Sequence, residues 1–378
     1  MKVCMVSTVH SLFDIRIFYK ELKTLKKQGY EVSYIVPHDS NEVIDGIKIN
    51  KLPKPKNRLQ RIFKVSRLAY IKALKENAHV YHFHDPELIF VGLLLRVKGK
   101  KVIYDIHENN ALNIKFKSHI PLRSFISKVY RGFELLACRF FVLILAEESY
   151  KKYFSPKFYN LAVVQNFPDT TLFPPSTEYK EKYIVYLGGV SKIRGIEEII
   201  EALYILSRNG MKYHFKCIGH VNESLMEDLQ RKIEAYNLQE QVEFLGQMRA
   251  VDAYEVISKA SLGLAILKPH PNYFESYPTK VFEYMTLGIP FITSDFKLYR
   301  ELVNETNAGC VTDPNCPQEI AEKIRVVISN EKLNCLLGEN GKKHISDKYN
   351  WKKESEKLLK VYQMIESELH DKKRKEVN

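Results

Sequence analysis

The segment Tyr183-Ile-Val-Tyr-Leu-Gly-Gly189 decides the fold class of this 378-residue chain. It is a short run of aromatic and β-branched residues that ends in two glycines, a pattern typical of a buried strand. Similar runs follow at His214–Gly219, Val242–Gly246, Leu262–Ile266 and Pro290–Ser294, and longer helical patterns separate them. Strands that alternate with helices in this way predict a parallel sheet with crossover helices.

The first half of the chain carries the same alternation. Its predicted strands are Lys2–Thr8, Glu31–Pro37, His79–Phe83, Lys101–Ile106 and Phe140–Leu145. A helical pattern over Arg16–Gln28 separates the first two strands and ends at Gly29, a natural C-cap. The sequence therefore predicts two doubly wound α/β domains.

Changes in composition predict where these domains begin and end. Prolines and polar residues mark 167–182 as a linker between an N-terminal domain at 1–166 and a second domain at 183–348. The spacing of apolar residues predicts a helix over 349–371 that packs back toward the N-terminal domain. The charged tail 372–378 lacks apolar anchors, and we expect it to fray.

The overall composition is that of a globular protein, with 45% hydrophobic and 27% charged residues, and it excludes a disordered or fibrous chain. The six cysteines lack the spacing of a zinc ribbon or a disulfide framework, which fits free thiols in a reducing cytosol. No signal-peptide pattern is visible, and we expect a cytoplasmic protein. The longest apolar runs, Leu88–Leu95 and Phe140–Ala146, are too short to span a bilayer and are predicted to be buried.

The net charge of +13 is concentrated in one stretch of the chain. Residues 48–131 contain nineteen Lys and Arg residues and five acidic ones. Within this stretch, Lys51–Lys75 holds nine basic residues and no acid, and its apolar residues recur at roughly helical spacing. Basic amphipathic helices bind anionic lipid headgroups, and Lys115–Lys128 is a second candidate. We expect peripheral attachment to the inner face of the cell membrane; a plain solvated surface is the alternative.

A loop that runs into a helix carries the most informative chemistry. Glu275 and Glu283 stand on either side of Pro278, a residue suited to a first helical turn. The backbone amides of Thr279 and Lys280 then point outward at the positive end of the helix dipole, which predicts a phosphate site. Carboxylates on both sides of a diphosphate suit a sugar nucleotide, which has hydroxyls at both ends.

This motif resembles the donor site of the retaining family-four glycosyltransferases, which have the GT-B architecture of two facing Rossmann-like doubly wound domains with a C-terminal crossover helix. Further segments that resemble this family occur in the same order along nearly the whole chain. They are Phe13–Phe18, Phe83–Leu88, Tyr104–Asn109, Tyr186–Gly195 and the helix that starts at Trp351.

The resemblance implies roles for residues of the second domain. Glu275 would bind hydroxyls of the donor sugar, Glu283 the ribose, and the amides of Thr279 and Lys280 the diphosphate. The remaining residues that the resemblance assigns to donor binding are Gly188, Gly189, Lys192, Ser276 and Tyr277.

Two cations normally neutralise the leaving diphosphate in this family. The chain has Gly189 at the first of these positions and Arg194 at the second, so Lys192 or Lys280 is expected to compensate. The glycine-rich loop that follows the first strand of the family is also missing.

The resemblance implies fewer residues in the first domain. His107 would position the donor sugar near the reacting carbon. Asp14, Arg16 and His84 are predicted on the acceptor side, with structural alternatives: Asp14 and Arg16 as a cap and an ion pair, and His84 as part of a helix start.

No metal or other cofactor is expected. The sequence contains no Asp-x-Asp, the pattern that would hold a metal on the diphosphate. His82 and His84 alternate on one face of a predicted strand, but no third metal ligand accompanies them in the sequence.

We therefore predict a retaining glycosyltransferase that moves a sugar from a nucleotide-diphosphate sugar, with UDP as the expected nucleotide, to a lipid-linked saccharide. The resemblance places this step in the biosynthesis of a capsule, exopolysaccharide or lipopolysaccharide. The alternatives are a sugar-nucleotide epimerase or hydrolase of the same architecture and a basic nucleic-acid-binding protein. Nucleic acid is not an expected partner, because the basic region lacks a groove-reading motif.

Overall fold

The computed structural model describes residues 1–117, 120–157, 159–175 and 181–377. The chain divides into two compact units, one of Met1–Asn166 with the chain from Lys352 onward, and one of Phe167–Trp351. Part of the predicted linker and two residues of the basic region, Ser118 and His119, lie outside the described residues.

The first unit is built on an eight-stranded sheet. Its strands are β1 (Lys2–Val6), β2 (Glu31–Pro37), β3 (Glu42–Ile44), β4 (Ile47–Leu52), β5 (Val80–Phe83), β6 (Lys101–Ile106), β7 (Val142–Leu145) and β8 (Asn160–Val163). They lie in the order β3-β4-β2-β1-β5-β6-β7-β8, and every neighbouring pair is parallel except β3 with β4. The central strands are buried on both faces because helices cover the sheet.

Six helices connect these strands. They are α1 (Lys23–Lys27), α2 (Arg58–Gln60), α3 (Ser66–Glu76), α4 (Ile89–Val97), α5 (Asn110–Phe116) and α6 (Arg123–Cys138). The chain enters α1 through a π-helical segment, Ile15–Leu22, and a second one, Arg61–Val65, joins α2 to α3. Asp14 starts the first helical segment, because its side chain accepts hydrogen bonds from the backbone amides of Arg16 and Ile17 at 2.9 and 3.0 Å.

The prediction that Leu88–Leu95 is buried was wrong for part of the run. Helix α4 packs Ile89 and Leu95 into the core but leaves Phe90 64% and Leu94 49% exposed. A continuous apolar run on a helix faces every direction, whereas a helix beside a sheet buries one side only. The second apolar run behaves similarly at its start, where Phe140 is exposed and the strand begins only at Val142.

The second unit is built on a six-stranded parallel sheet. Its strands are β9 (Tyr183–Leu187), β10 (His214–Ile218), β11 (Val242–Gly246), β12 (Leu262–Ala265), β13 (Phe291–Ser294) and β14 (Gly309–Thr312), in the order β11-β10-β9-β12-β13-β14. Its helices are α7 (Ile196–Arg208), α8 (Glu223–Ala235), α9 (Ala250–Ser258), α10 (Thr279–Thr286), α11 (Lys297–Thr306), α12 (Pro317–Ser329) and α13 (Glu331–Asp347). The fold class is confirmed: both units are doubly wound and Rossmann-like.

The last helix, α14 (Trp351–Val377), belongs to the first unit from Lys352 on. Leu358, Tyr362 and Ile365 are fully buried, so the apolar face of this helix packs on the first unit. The helix continues to Val377, and no glycine or proline interrupts it, while fraying of the tail from residue 372 stays a prediction. None of the described helices combines the length and apolar character needed to cross a bilayer.

Candidate active site

Two glycines bring the ends of β9 and β10 close together in the second unit. Gly188 adopts φ +116° and Gly219 φ +151°, which are conformations that side-chain-bearing residues rarely adopt. A Cβ atom on Gly219 would lie 1.9 Å from the Gly188 carbonyl oxygen. The chain therefore presents bare backbone at the carboxyl ends of two adjacent parallel strands, where ligands bind in open α/β sheets.

Two cations converge on this backbone. The Nη1 atom of Arg194 donates to the Gly189 carbonyl at 3.2 Å. The Arg194 Nη1 and Lys280 Nζ atoms lie 3.5 and 3.6 Å from the place that a Cβ of Gly188 would occupy. A Cβ on Gly189 would meet only Arg194, so space for a side chain is left beside this guanidinium.

The environment of Lys280 is unusual for an ammonium group. Its side chain is buried, and its Nζ lies 3.5 Å from the centroid of the Tyr186 ring, a cation–π contact. Nζ has no hydrogen-bond acceptor among the described residues. Burial, together with the nearby charge of Arg194, holds the pKa of Lys280 well below its usual value. An anion between Arg194 and Lys280 would raise the pKa of Lys280 again.

Lys192, the other candidate for the second cation, lies elsewhere. Its exposed ammonium pairs with Glu197 at 3.2 Å and with Asp228 at 3.6 Å. Of the two alternatives that the sequence left open, the structure therefore brings Lys280, not Lys192, next to Arg194.

The predicted donor loop ends where α10 begins. Pro278 precedes the first helical residue, Thr279, so the first amides of α10 lack intrahelical acceptors. The hydroxyl of Ser276 donates to the Asn272 carbonyl at 2.8 Å and thereby closes the loop. Glu275 is partly exposed on this loop.

Glu283 and Tyr277 lie on either side of this helix start. A carboxylate oxygen of Glu283, which is partly exposed, accepts a hydrogen bond from the Tyr254 hydroxyl at 3.1 Å. Tyr277 packs edge-on against Phe282 and belongs to an apolar cluster with Tyr299. The Tyr277 ring therefore has a packing role in addition to its predicted place in the donor site.

In the first unit, His107 is held by a buried carboxylate. Its Nε2 lies 3.1 Å from Asp105 Oδ2 and 3.2 Å from His84 Nδ1. Although burial alone would raise the pKa of Asp105, Arg16 and His107 hold it well below its usual range. In the neutral His107 tautomer that donates from Nε2 to this carboxylate, Nδ1 is the acceptor left for a ligand.

Arg16 and His84 are inside the domain. Arg16 is 3% exposed, donates to both oxygens of Asp105, and pairs with Glu21 at 3.0 Å. His84 is also buried, and burial lowers its pKa to about 4. Both residues pair within the core, which fits the structural alternative for Arg16; their acceptor-side role stays a prediction.

The buried cluster around Asp105 contains more candidate metal ligands than the sequence revealed. Glu21 and Asp105 join His82 and His84, and one ligand-type atom from each lies within 4.8 Å of the others. A third and a fourth candidate ligand therefore exist, from elements distant in sequence. Arg16 already supplies positive charge to both carboxylates, however, so the absence of a metal stays our prediction.

His10 is the residue of this site that sequence reasoning missed. Its Nδ1 lies 2.8 Å from Asp14 Oδ2, and its ring centroid lies 5.5 Å from that of His107. Burial would lower the pKa of His10, but the hydrogen bond and charge of Asp14 raise it. Asp14 therefore has a pairing and capping role, and it holds the His10 ring beside His107. The position of His10 just after strand β1 is the only sequence signal that could have indicated its place in this site.

Comparison with known families assigns each unit. The model described as "Glycosyltransferase Family 4" matches residues 16–150, and the one described as "Glycosyl transferases group 1" matches 169–344. The chain belongs to the group 1 glycosyltransferases. The predicted family is thus confirmed, whereas neither match specifies the stereochemistry of transfer.

Curated relatives of this glycosyltransferase are distant. Alpha-D-kanosaminyltransferase of Streptomyces kanamyceticus is 25% identical over 53% of this chain and 52% of its own length. The capsular polysaccharide biosynthesis glycosyltransferase CapM of Staphylococcus aureus is 24% identical over 47% of this chain and 45% of its own. The match thus spans about half the length of these two relatives.

Solved structures resemble this glycosyltransferase over almost its full length. Sucrose-phosphate synthase from Thermosynechococcus elongatus superposes with a TM-score of 0.77 at 16% identity, covering 97% of this chain and 99% of the other. HepE of Anabaena in complex with UDP-glucose gives 0.72 at 14% identity, covering 96% and 100%. These likenesses show the GT-B fold.

Proposed function

We propose that this glycosyltransferase moves a sugar, with retention at the anomeric carbon, from a UDP-sugar to a lipid-linked saccharide during synthesis of a cell-surface polysaccharide. The observation that carries the proposal is the buried Lys280 ammonium, which stands beside Arg194 without a hydrogen-bond acceptor among the described residues. The UDP-glucose bound by HepE and the polysaccharide role of CapM support the choice of donor and product.

Breaking the bond between sugar and phosphate defines what this site must do. The bonding electron pair goes to the phosphate oxygen, so negative charge builds on the diphosphate while the sugar becomes oxocarbenium-like. Fixed positive groups aimed at that oxygen lower the barrier most. Arg194, Lys280 and the first amides of α10 supply such groups.

The remaining predicted donor residues take supporting roles in this proposal. Glu275 binds hydroxyls of the sugar and Glu283 those of the ribose, while Ser276 fixes the loop. Gly188 and Gly189 have no side chains, so the diphosphate can approach the backbone closely. His107 orients the reacting sugar through Nδ1.

Transfer completes when the acceptor hydroxyl oxygen bonds to the anomeric carbon. Its proton passes to the leaving phosphate oxygen on the same face of the sugar, so no separate general base is required. We propose that no metal takes part, because the two cations carry the charge of the diphosphate. Activity should then persist in EDTA.

Membrane attachment is the second part of the proposal. Helices α4 and α6 expose Phe90, Leu94, Val97, Phe125 and Val129 in the same unit as the basic stretch. Exposed apolar side chains among cations suit an anionic bilayer, where each well-placed cation adds about 1 kcal/mol. This face would hold the enzyme peripherally on the inner face of the cell membrane.

Release of UDP from a panel of UDP-sugars tests the reaction. We expect release to depend on a lipid-linked saccharide, and Glu275→Ala to abolish it while Glu240→Ala, at an exposed position on a turn between α8 and β11, leaves it intact. Release without any acceptor would instead indicate a hydrolase or an epimerase. Retained turnover in Glu275→Ala would refute the role of this residue.

Sedimentation with liposomes tests the membrane surface. Binding should require anionic lipid, weaken as salt increases, and fall when Phe90 and Val97 are both changed to Ser. Indifference to lipid charge and to these substitutions would refute attachment through this face.

A further inference from the structure

A cavity of about 410 Å³ lies in the first unit, and His10, the neighbour of His107, forms part of its lining. It opens at the carboxyl ends of β1 and β2, where ligands gather in open α/β sheets. Its lining consists of the loop Thr8–Leu12 with Pro37, His38, Lys54, Pro55 and Arg61.

Basic groups dominate this lining. Lys54, Arg61, His10 and His38 all line the cavity, and no carboxylate is among the lining residues that the structure describes. The guanidinium of Arg61 uses only Nε for its 2.6 Å ion pair with Glu87, which leaves the Nη donors of its planar fork. Such a fork binds phosphate in a bidentate manner.

The other basic groups of the lining differ in how firmly they are held. Lys54 is largely exposed and has only a long, 3.5 Å, pair with Asp39. His38 is fixed by Glu42, whose carboxylate lies 2.6 Å from its Nε2. The position of His38 is therefore set before a ligand arrives, whereas the exposed ammonium of Lys54 can turn toward an anion.

Two apolar side chains in the segment that supplies Arg61 are exposed. Leu59 and Phe63, which lie on either side of Arg61 in sequence, are 68% and 71% exposed. They belong to the acid-free stretch that ends at Lys75. Exposed apolar side chains in a basic segment suit the hydrocarbon chain of an amphiphile whose anionic group enters the cavity.

We propose that this cavity binds the phosphate group that joins the acceptor to its lipid anchor. The proposal rests on the lipid-linked acceptor proposed above and names the part of it that is recognised. It assigns acceptor recognition to Arg61, Lys54, His10 and His38, in place of the buried Arg16 and His84. The cavity selects a phosphorylated lipid by charge and leaves the saccharide free to react.

Binding of farnesyl phosphate, compared with farnesol, tests this directly. Both probes carry the same hydrocarbon chain, so only the phosphate differs. The full-length protein should bind farnesyl phosphate at least about tenfold more tightly than farnesol, and Arg61→Gln and Lys54→Gln should each remove most of that preference. Inorganic phosphate alone should bind weakly, because it has no hydrocarbon chain to add apolar contacts.

Matched controls separate this site from general attraction to a membrane. Arg58→Gln and Lys56→Gln remove the same charge from exposed positions that do not line the cavity, and we expect the preference for farnesyl phosphate to stay within about twofold of wild type. Equal losses in the lining and control variants would overturn the proposal, as would equal binding of the phosphate and the alcohol. Unfolding midpoints near that of wild type establish that each variant is folded.

UDP binding separates failure here from failure of the proposed function. The lining variants should bind UDP as the wild type does, because the residues proposed to hold the diphosphate and the ribose lie in the other unit. If the wild type binds UDP but does not distinguish farnesyl phosphate from farnesol, the cavity proposal alone fails. If it binds farnesyl phosphate selectively but no UDP, the proposed reaction fails and the cavity assignment stands.

Discussion

The ammonium of Lys280 lies 3.5 Å from the ring centroid of Tyr186, buried and without a hydrogen-bond acceptor among the described residues. A buried cation in this state costs folding free energy unless a ligand supplies the missing charge. The pair therefore connects the packing of the second unit with the binding of a diphosphate.

The first prediction concerns Lys280→Met, which keeps the volume of the side chain and removes its charge. We expect UDP release to fall by about 10²–10³-fold, the usual effect of losing one fixed donor to a developing oxyanion. Stability should be unchanged or higher, because a buried unpaired charge is lost. Turnover and urea unfolding measure the two effects.

Lys192→Met is the matched control for this prediction. Lys192 is exposed and pairs with Glu197 and Asp228, so we expect turnover within about twofold of wild type. Similar losses in both variants would contradict the assignment of the second cation to Lys280.

The second prediction concerns the uptake of protons when UDP binds. The pKa of Lys280 is lowered by burial and by Arg194, and a bound diphosphate should raise it again. UDP binding should therefore take up protons at pH values above the lowered pKa. Calorimetry in two buffers of different ionisation enthalpy measures the uptake, which should disappear in Lys280→Met.

The same shift sets the sign of a pH effect on stability. Between the lowered folded pKa and the unfolded value of 10.5, the unfolded state binds more protons, so the contribution of Lys280 to stability rises with pH in that window. Bound UDP should make the free energy of unfolding depend less on pH in this window. An identical pH profile with and without UDP would count against the pairing of Lys280 with the diphosphate.

The third prediction concerns Gly219→Ala. The new Cβ would meet the Gly188 carbonyl oxygen at 1.9 Å, so the ends of β9 and β10 must separate. We expect a higher KM for the donor and a loss of stability above the roughly 1–2 kcal/mol of a strained backbone alone. Gly210→Ala, at φ +77° in open space, should show only the strain. Equal losses of stability in the two variants, with donor KM unchanged, would refute the close contact.

The fourth prediction concerns Arg16→Met. Removing this guanidinium leaves Asp105 and Glu21 buried together, and burial with Asp105 already raises the pKa of Glu21. We expect a loss of about 3–5 kcal/mol in unfolding free energy, as for other broken buried pairs. Arg58→Met, at an exposed position, should lose little. A higher KM for the acceptor, with unchanged stability, would instead support the acceptor role predicted from the sequence.

Sequence reasoning succeeded where the signal is local. The strands Glu31–Pro37, Lys101–Ile106 and Val242–Gly246 have the bounds that their apolar runs predicted. The start of α10 at Thr279 likewise follows from Pro278. Each of these depends on residues that are neighbours in the chain.

Sequence reasoning failed where long-range contacts decide. The short edge strands β3, β8 and β14 have few residues and weak alternation, and only their neighbours in the sheet define them. Nothing near Arg16 in sequence reveals its partner Asp105, 89 residues away. The position of Lys280 over Tyr186 is equally invisible without the fold.

Affinity for UDP compared with uridine, measured by titration calorimetry, tests the central claim most directly. If Arg194 and Lys280 hold the diphosphate, the wild type should bind UDP at least about 100-fold more tightly than uridine, since charge-assisted contacts to phosphate are made by UDP alone. This ratio should collapse in the double variant Arg194→Gln with Lys280→Met. Equal affinities for UDP and uridine in the wild type, or an unchanged ratio in the double variant, would contradict the account.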